Sequence, residues 1–125
     1  MSQHSADNLI LSPTFVREDD RGLFVEVLNE GPWETVVHGE MHAGAVMGEH
    51  YHRQCRAYFY LMSGEAIINV RHLVDGTEDT ITLAAQRGVY FLPFEVHRIE
   101  FLAESTFLLL KSYRYRDDEP DIFVE

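Results

Sequence analysis

Seven histidines stand in a chain of 125 residues, and three of them are spaced to act together. In GAVMGEHYH (44–52), one residue separates His50 from His52. On a β-strand, side chains at i and i+2 leave the same face about 7 Å apart, close enough to share one ion or one substrate atom. His97 comes later, after Gly88 and Pro93, and can join the pair if its segment lies beside theirs. Such a cluster suits two kinds of chemistry. An imidazole pKa near 6.5 fits proton abstraction and return around neutral pH. Neutral imidazole nitrogens are also good donors for zinc, iron or nickel. The plainer alternative is a set of hydrogen-bonded core or surface histidines.

A second group stands nearer the N-terminus, in DDRGLFVE (19–26). Gly22 permits a tight bend into a strand. Beyond it Phe24, Glu26 and Leu28 project to one face, and Leu23, Val25 and Val27 to the other. Phe24 beside Glu26 suits stacking and hydrogen-bonding of a base, and Arg21 suits bidentate binding of a phosphate oxygen. The alternative is an ordinary edge strand with a solvated glutamate.

The elements that must position these groups read as short strands: 23–28, 34–38, 43–47, 57–62, 66–73, 79–84, 89–93, 96–102 and 106–112. They are rich in Val, Ile, Thr, Phe and Tyr, and turn signals separate them at Gly31-Pro32, Ser63-Gly64, Asp75-Gly76 and Arg87-Gly88. No stretch of a dozen residues holds a helical period, so the expected fold is all-β, a sandwich or barrel. The length predicts one domain across 1–125, with a flexible N-terminal arm (1–8) and an acidic C-terminal tail (113–125). Continuous apolar runs such as AYFYLM (57–62) predict strands covered on both faces, a second subunit being one source of cover.

Ten Lys and Arg against 21 Asp and Glu give a formal charge of −11. That balance argues against nucleic acid or an anionic membrane as partner, since affinity for both rests on clustered positive charge. The single cysteine, Cys55, cannot pair within the chain, which fits a reducing compartment. With neither a secretory signal nor an apolar run long enough to span a bilayer, the expected location is the cytoplasm.

Gly44-x5-His50-x-His52, followed by Gly64, resembles the first motif of the cupins; Gly88, Pro93 and His97 resemble the second. The resemblance runs from about residue 9 to 115. It implies a single-domain jelly-roll β-barrel with its site inside. The metal-binding glutamate of typical cupins falls here at Ala57, preceded by Arg56. The resemblance therefore leaves a three-histidine metal site of His50, His52 and His97, weakened by a nearby guanidinium. Strand alternation points Glu49 away from it, and Cys55 is a ligand only if the turn after His52 folds back.

DDRGLFVE is similar to the opening of dTDP-4-dehydrorhamnose 3,5-epimerases, which implies that Arg21, Phe24 and Glu26 bind a nucleotide-sugar. Residues 48–73 are similar to the cupin domain of capsular-polysaccharide epimerase/reductases. With 88–97 and the ending SYRYRDDEPDIF (112–123), they also resemble sugar 3,4-ketoisomerases. These families share nucleoside-diphosphate-linked 4-keto-6-deoxy sugars as substrates, and members form homodimers. The resemblance implies His50 and His52 as base and acid, Arg56 as the cation on the enediolate oxygen, His97 as a substrate-binding residue, and no required cofactor. Alternation places Tyr58 and Tyr60 outward, so neither they nor Tyr90 is assigned as proton donor. Two further readings stand: a three-histidine metal-dependent oxygenase or lyase, and a non-catalytic sugar-binding cupin.

Overall fold

The computed structural model describes residues 6–125, so most of the expected N-terminal arm lies outside the described residues. Ten strands follow a short 3-10 turn at Ala6–Leu9: β1 (Phe15–Asp19), β2 (Gly22–Glu26), β3 (Thr35–Met41), β4 (Val46–His50), β5 (Ala57–Ser63), β6 (Glu65–His72), β7 (Glu78–Ala84), β8 (Arg87–Phe91), β9 (Glu95–Phe101) and β10 (Ser105–Lys111). Eight of them form two four-stranded antiparallel sheets, in the orders β3-β10-β5-β8 and β4-β9-β6-β7. The sheets enclose a common core that includes Phe59, Leu61, Ile68, Leu83, Phe101 and Phe107. The fold is an all-β jelly roll, as expected.

Local chemistry explains where the strands fall. In β7, Asp79, Ile81 and Leu83 are buried and their neighbours exposed, the alternation of a strand with one wet face. β5 is buried on both faces. Phe59 and Leu61 enter the core. Tyr58 points outward against Tyr90, ring centroids 4.9 Å apart. Gly88 makes room for it, since a Cβ there would overlap the Tyr58 hydroxyl. The outer cover that the apolar run demanded thus includes residues of the same chain.

Two stretches differ from the sequence reading. The strand expected at 43–47 starts only at Val46, because Gly44 sits at φ +88° and turns the chain. Phe15–Asp19 is an added strand, paired with β2 in a hairpin; its polar FVRED sequence carries little β signal. That hairpin forms a separate two-stranded sheet and exposes Phe15, Val16, Leu23 and Phe24. The acidic tail, in contrast, docks onto the barrel. Tyr51 and Phe123 exchange backbone hydrogen bonds of 2.9 and 3.0 Å, and Arg53 lies 4.0 Å over the Phe123 ring.

Candidate active site

A backbone irregularity builds the histidine cluster. Gly48 (φ +96°) and Glu49 (φ +64°) form a bulge in β4, where the register against β9 shifts between Gly48 and His50. Gly48 lies so close to β9 that a Cβ would overlap the carbonyl oxygen of His97. The bulge turns Glu49 outward to Arg98, 3.1 Å away, and sets His50 directly opposite His97. His52 follows just beyond the strand. Ring centroids are 4.7 Å apart for His50–His97, 5.3 Å for His50–His52 and 5.5 Å for His52–His97. One nitrogen from each ring lies within 4.8 Å of the others.

Two contacts fix the rings. Phe91 of β8 stacks flat on His97 at 4.2 Å and 5°, linking the two sheets across the barrel. His52 Nδ1 lies 2.6 Å from the main-chain carbonyl of Asp121. A carbonyl can only accept, so Nδ1 carries the proton and neutral His52 presents Nε2 as a free lone pair. The Asp121 carboxylate holds the tail in place by accepting from the amides of Arg53 (3.1 Å), Gln54 (3.0 Å) and Cys55 (2.8 Å).

The site holds its imidazoles neutral. Burial pushes the His97 pKa down to about 3, reinforced by His50 and His52. Burial also lowers His50, with His52 adding to the effect. His52 falls for the same first reason, partly offset by its bond to Asp121. Lys111 contributes a lowering effect at all three.

The other sequence-selected residues are elsewhere. Arg21 pairs with Asp19 at 2.7 Å. Phe24 packs on Phe15 and under Arg17, and Glu26 accepts from Thr14 at 2.9 Å. These contacts stay within the hairpin and its approach, and none reaches the histidines. Arg56, just before β5, turns outward, 4.8 Å over the Trp33 ring and 3.5 Å from Glu30. Cys55 is buried, its thiol pKa raised by burial, and it does not join the histidine group. Tyr58 has its hydroxyl buried with no hydrogen-bond partner among the described residues, and its pKa is pushed by burial to about 12. Tyr90 donates to Glu30. Two residues the sequence reading passed over do belong to the site: Asp121 and Lys111. The motif ending at 123 pointed to the first; strand parity in β10 could have found the second.

Two facing four-stranded sheets with a histidine cluster at one end define a cupin-type jelly roll. The chain belongs to the polysaccharide biosynthesis C-terminal domain family, whose profile matches residues 17–123. No curated protein matches the chain in sequence. Among solved structures, it is similar to the capsular polysaccharide assembling protein CapF of Staphylococcus aureus, at TM-score 0.68 and 22% identity over 88% of this chain. The matched part is 33% of CapF, so the chain spans about a third of that protein's length. The RmlC epimerase of Mycobacterium tuberculosis matches at TM-score 0.74 and 24% identity, over 87% of this chain and 64% of that one. The 3,4-ketoisomerase QdtA of Thermoanaerobacterium thermosaccharolyticum, a double mutant with TDP bound, matches at 0.75 and 20%, over 94% and 88%. Among the described residues, no helix is long and apolar enough to cross a membrane.

Proposed function

We propose that this chain is a sugar-nucleotide isomerase or epimerase that moves a proton on a 4-keto-6-deoxy sugar linked to a nucleoside diphosphate, in the manner of a 3,4-ketoisomerase. The observation that carries this reading is the free imidazole pair, His50 and His52, with the His52 tautomer fixed by the Asp121 carbonyl. One imidazole takes the proton from the carbon beside the keto group. The C–H electron pair becomes a C=C bond and the carbonyl π pair moves onto oxygen, giving an enediolate. The hydroxyl proton on that first carbon passes to the former carbonyl oxygen, the O–H electron pair becomes the new C=O, and the C=C pair takes a proton from the other imidazole at the former carbonyl carbon. His97, buried and stacked on Phe91, serves as the wall that orients the sugar.

The nucleotide falls to Arg21, Phe24 and Glu26. Their hairpin exposes apolar surface and contacts none of the histidines, which suits a homodimer in which one copy's hairpin reaches the other copy's site. The RmlC and QdtA likenesses support an activity of this kind, as does membership of a polysaccharide biosynthesis family. The cytoplasm, where activated sugars are made, is the location proposed with it, and one domain across 1–125 is the organisation. The test is NMR in D2O with dTDP-4-keto-6-deoxyglucose. Loss of a sugar C–H signal adjacent to the keto group supports the reading. Absence of exchange, together with no stabilisation by dTDP or UDP, overturns it.

A second reading has its own observation. The three imidazoles, donor nitrogens within 4.8 Å, fit a neutral three-nitrogen set for a divalent ion. His50, His52 and His97 would hold it, and zinc, iron or nickel there would polarise a substrate oxygen. Metal content per subunit of tag-free protein decides between the two. One equivalent, with activity lost on chelation and restored by one metal, would remove His50 and His52 as free base and acid.

A further inference from the structure

The histidine end of the barrel is carpeted by two facing rows of residues. On one sheet the row is Thr35, Lys111, Ala57 and Phe91, paired in that order across β3, β10, β5 and β8. On the other it is His50, His97 and Val70, across β4, β9 and β6. Phe91 stacks on His97, so the two rows stand at the same level.

Lys111 points into this level. In β10, Phe107 belongs to the core and Leu109 packs against it. Alternation then turns Lys111, two residues further on, to the same inner side. Its neighbours in the row are Thr35 and Ala57, and the single methyl of Ala57 leaves room for the lysine stem on the side of the Phe91–His97 stack. Among the described residues no carboxylate pairs with the ammonium, which lies 6.0 Å from the Tyr115 ring. Its charge bears on His50, His52, His97 and Cys55 alike, lowering the pKa contribution at each. With the imidazoles neutral and Arg56 engaged outside the barrel, an unneutralised cation at this position has an evident use.

We propose that Lys111 is the anion-binding group of the histidine site, its ammonium taking the oxygen that becomes the enediolate. This rests on the proton-transfer reading above. When the C–H bond breaks, negative charge settles on the former carbonyl oxygen; an ammonium already held there stabilises that charge without reorganisation. The lysine keeps its own proton throughout, and the imidazoles move the one from carbon.

The experiment compares wild type, Lys111→Met and Lys111→Arg. Near-UV circular dichroism checks folding, and Met retains most of the packing of the stem. With dTDP-4-keto-6-deoxyglucose in D2O, Lys111→Met is expected to lose about 10²–10³-fold in kcat for exchange, the range for removing one oxyanion donor. Affinity for dTDP alone should stay at the wild-type value, and Lys111→Arg should recover part of the rate. If wild type exchanges and Lys111→Met keeps pace with it, the Lys111 role is overturned while the proposed function stands. If wild type neither exchanges nor is stabilised by dTDP or UDP, that function fails, and titration with oxalate, a small enediolate-like dianion, judges Lys111 alone. Weaker oxalate binding by Lys111→Met than by wild type then supports it as the site's anion-binding group; equal binding overturns it.

Discussion

Two histidine sites share one sheet and are driven in opposite directions. His50 and His97 face each other across β4 and β9, with His52 just beyond, and among the described residues no carboxylate oxygen bonds any of the three rings. His72, at the end of β6, has a carboxylate on each nitrogen: Asp79 at 2.8 Å on Nε2 and Glu95 at 2.7 Å on Nδ1. Burial disfavours the charged form in both places. At His72 it is the largest single influence, yet the hydrogen bonds and charges of Asp79 and Glu95 together outweigh it and raise the pKa. In the three-histidine site burial wins, and the pKa values fall. The lesson is that burial alone does not make a base. A buried imidazole stays free to accept a proton from carbon only where the fold keeps acids off it. The clamped His72 ties β6 to β7 and β9.

The largest effect that would break this contrast is catalytic. His50→Asn and His52→Asn should each reduce proton exchange by about 10²–10⁴-fold, the range for removing a general acid or base. His72→Asn should leave kcat for exchange near wild type while lowering the melting temperature. NMR exchange rates and thermal melts on the same samples read both. Equal catalytic loss in all three variants would mean that the two sites do not divide the labour.

Next comes the tail. The Asp121 carboxylate accepts from three amides, and its backbone carbonyl holds the His52 proton. Asp121→Ala leaves those amides without their acceptor, and we expect it to cost about 2–4 kcal/mol in urea unfolding. Asp121→Asn keeps one oxygen acceptor and should lose less. Exchange should drop with the tail's release, since His52 loses the partner that sets its tautomer. Unchanged stability in Asp121→Ala would show that the tail does not secure this end of the barrel.

A smaller effect tests His72 directly. A group whose folded pKa is raised stabilises fully below its unfolded value, here the ordinary 6.5, and that contribution disappears as pH rises through the folded value. His72 therefore adds stability in mild acid that is lost on the alkaline side of 6.5. Asp79→Asn should remove about 1 kcal/mol at pH 6, a figure kept low because the imidazole retains contact with water, and less at pH 9. Urea midpoints across that range provide the measurement. A difference that grows with pH would reverse the assigned sign.

Much of this contrast lies beyond what a linear reading can hold. The strands were legible because Val, Ile, Phe and Tyr recur between turn residues, and the histidine trio because Gly44, His50 and His52 precede Gly88, Pro93 and His97 in order. Which histidine meets a carboxylate was not legible. His72 and Asp79 are joined by the β6–β7 hairpin, but Glu95 arrives from a strand 23 positions later. Lys111 escaped notice because it ends a run of leucines on β10, outside both motifs; its neighbour Ala57 lies 54 positions away. Arg56 was the more visible cation, next to that alanine in sequence. Alternation sends adjacent residues to opposite faces, and Arg56 went outward.

The smallest expected effect sharpens the contrast from its other side. Glu49 directly precedes His50 in sequence, and a one-residue slip of the strand would turn its carboxylate to the inner face. The bulge at Gly48 and Glu49 prevents this, sending the carboxylate to Arg98 in solvent. Glu49→Gln should therefore change neither the melting temperature nor the exchange rate measurably, as expected of an exposed ion pair. Gly48→Ala should behave quite differently, because its Cβ has no space beside His97 and its φ is unfavourable for alanine. A clear rate loss in Glu49→Gln would mean that the carboxylate reaches the imidazoles, and the acid-free character of the site would then be wrong.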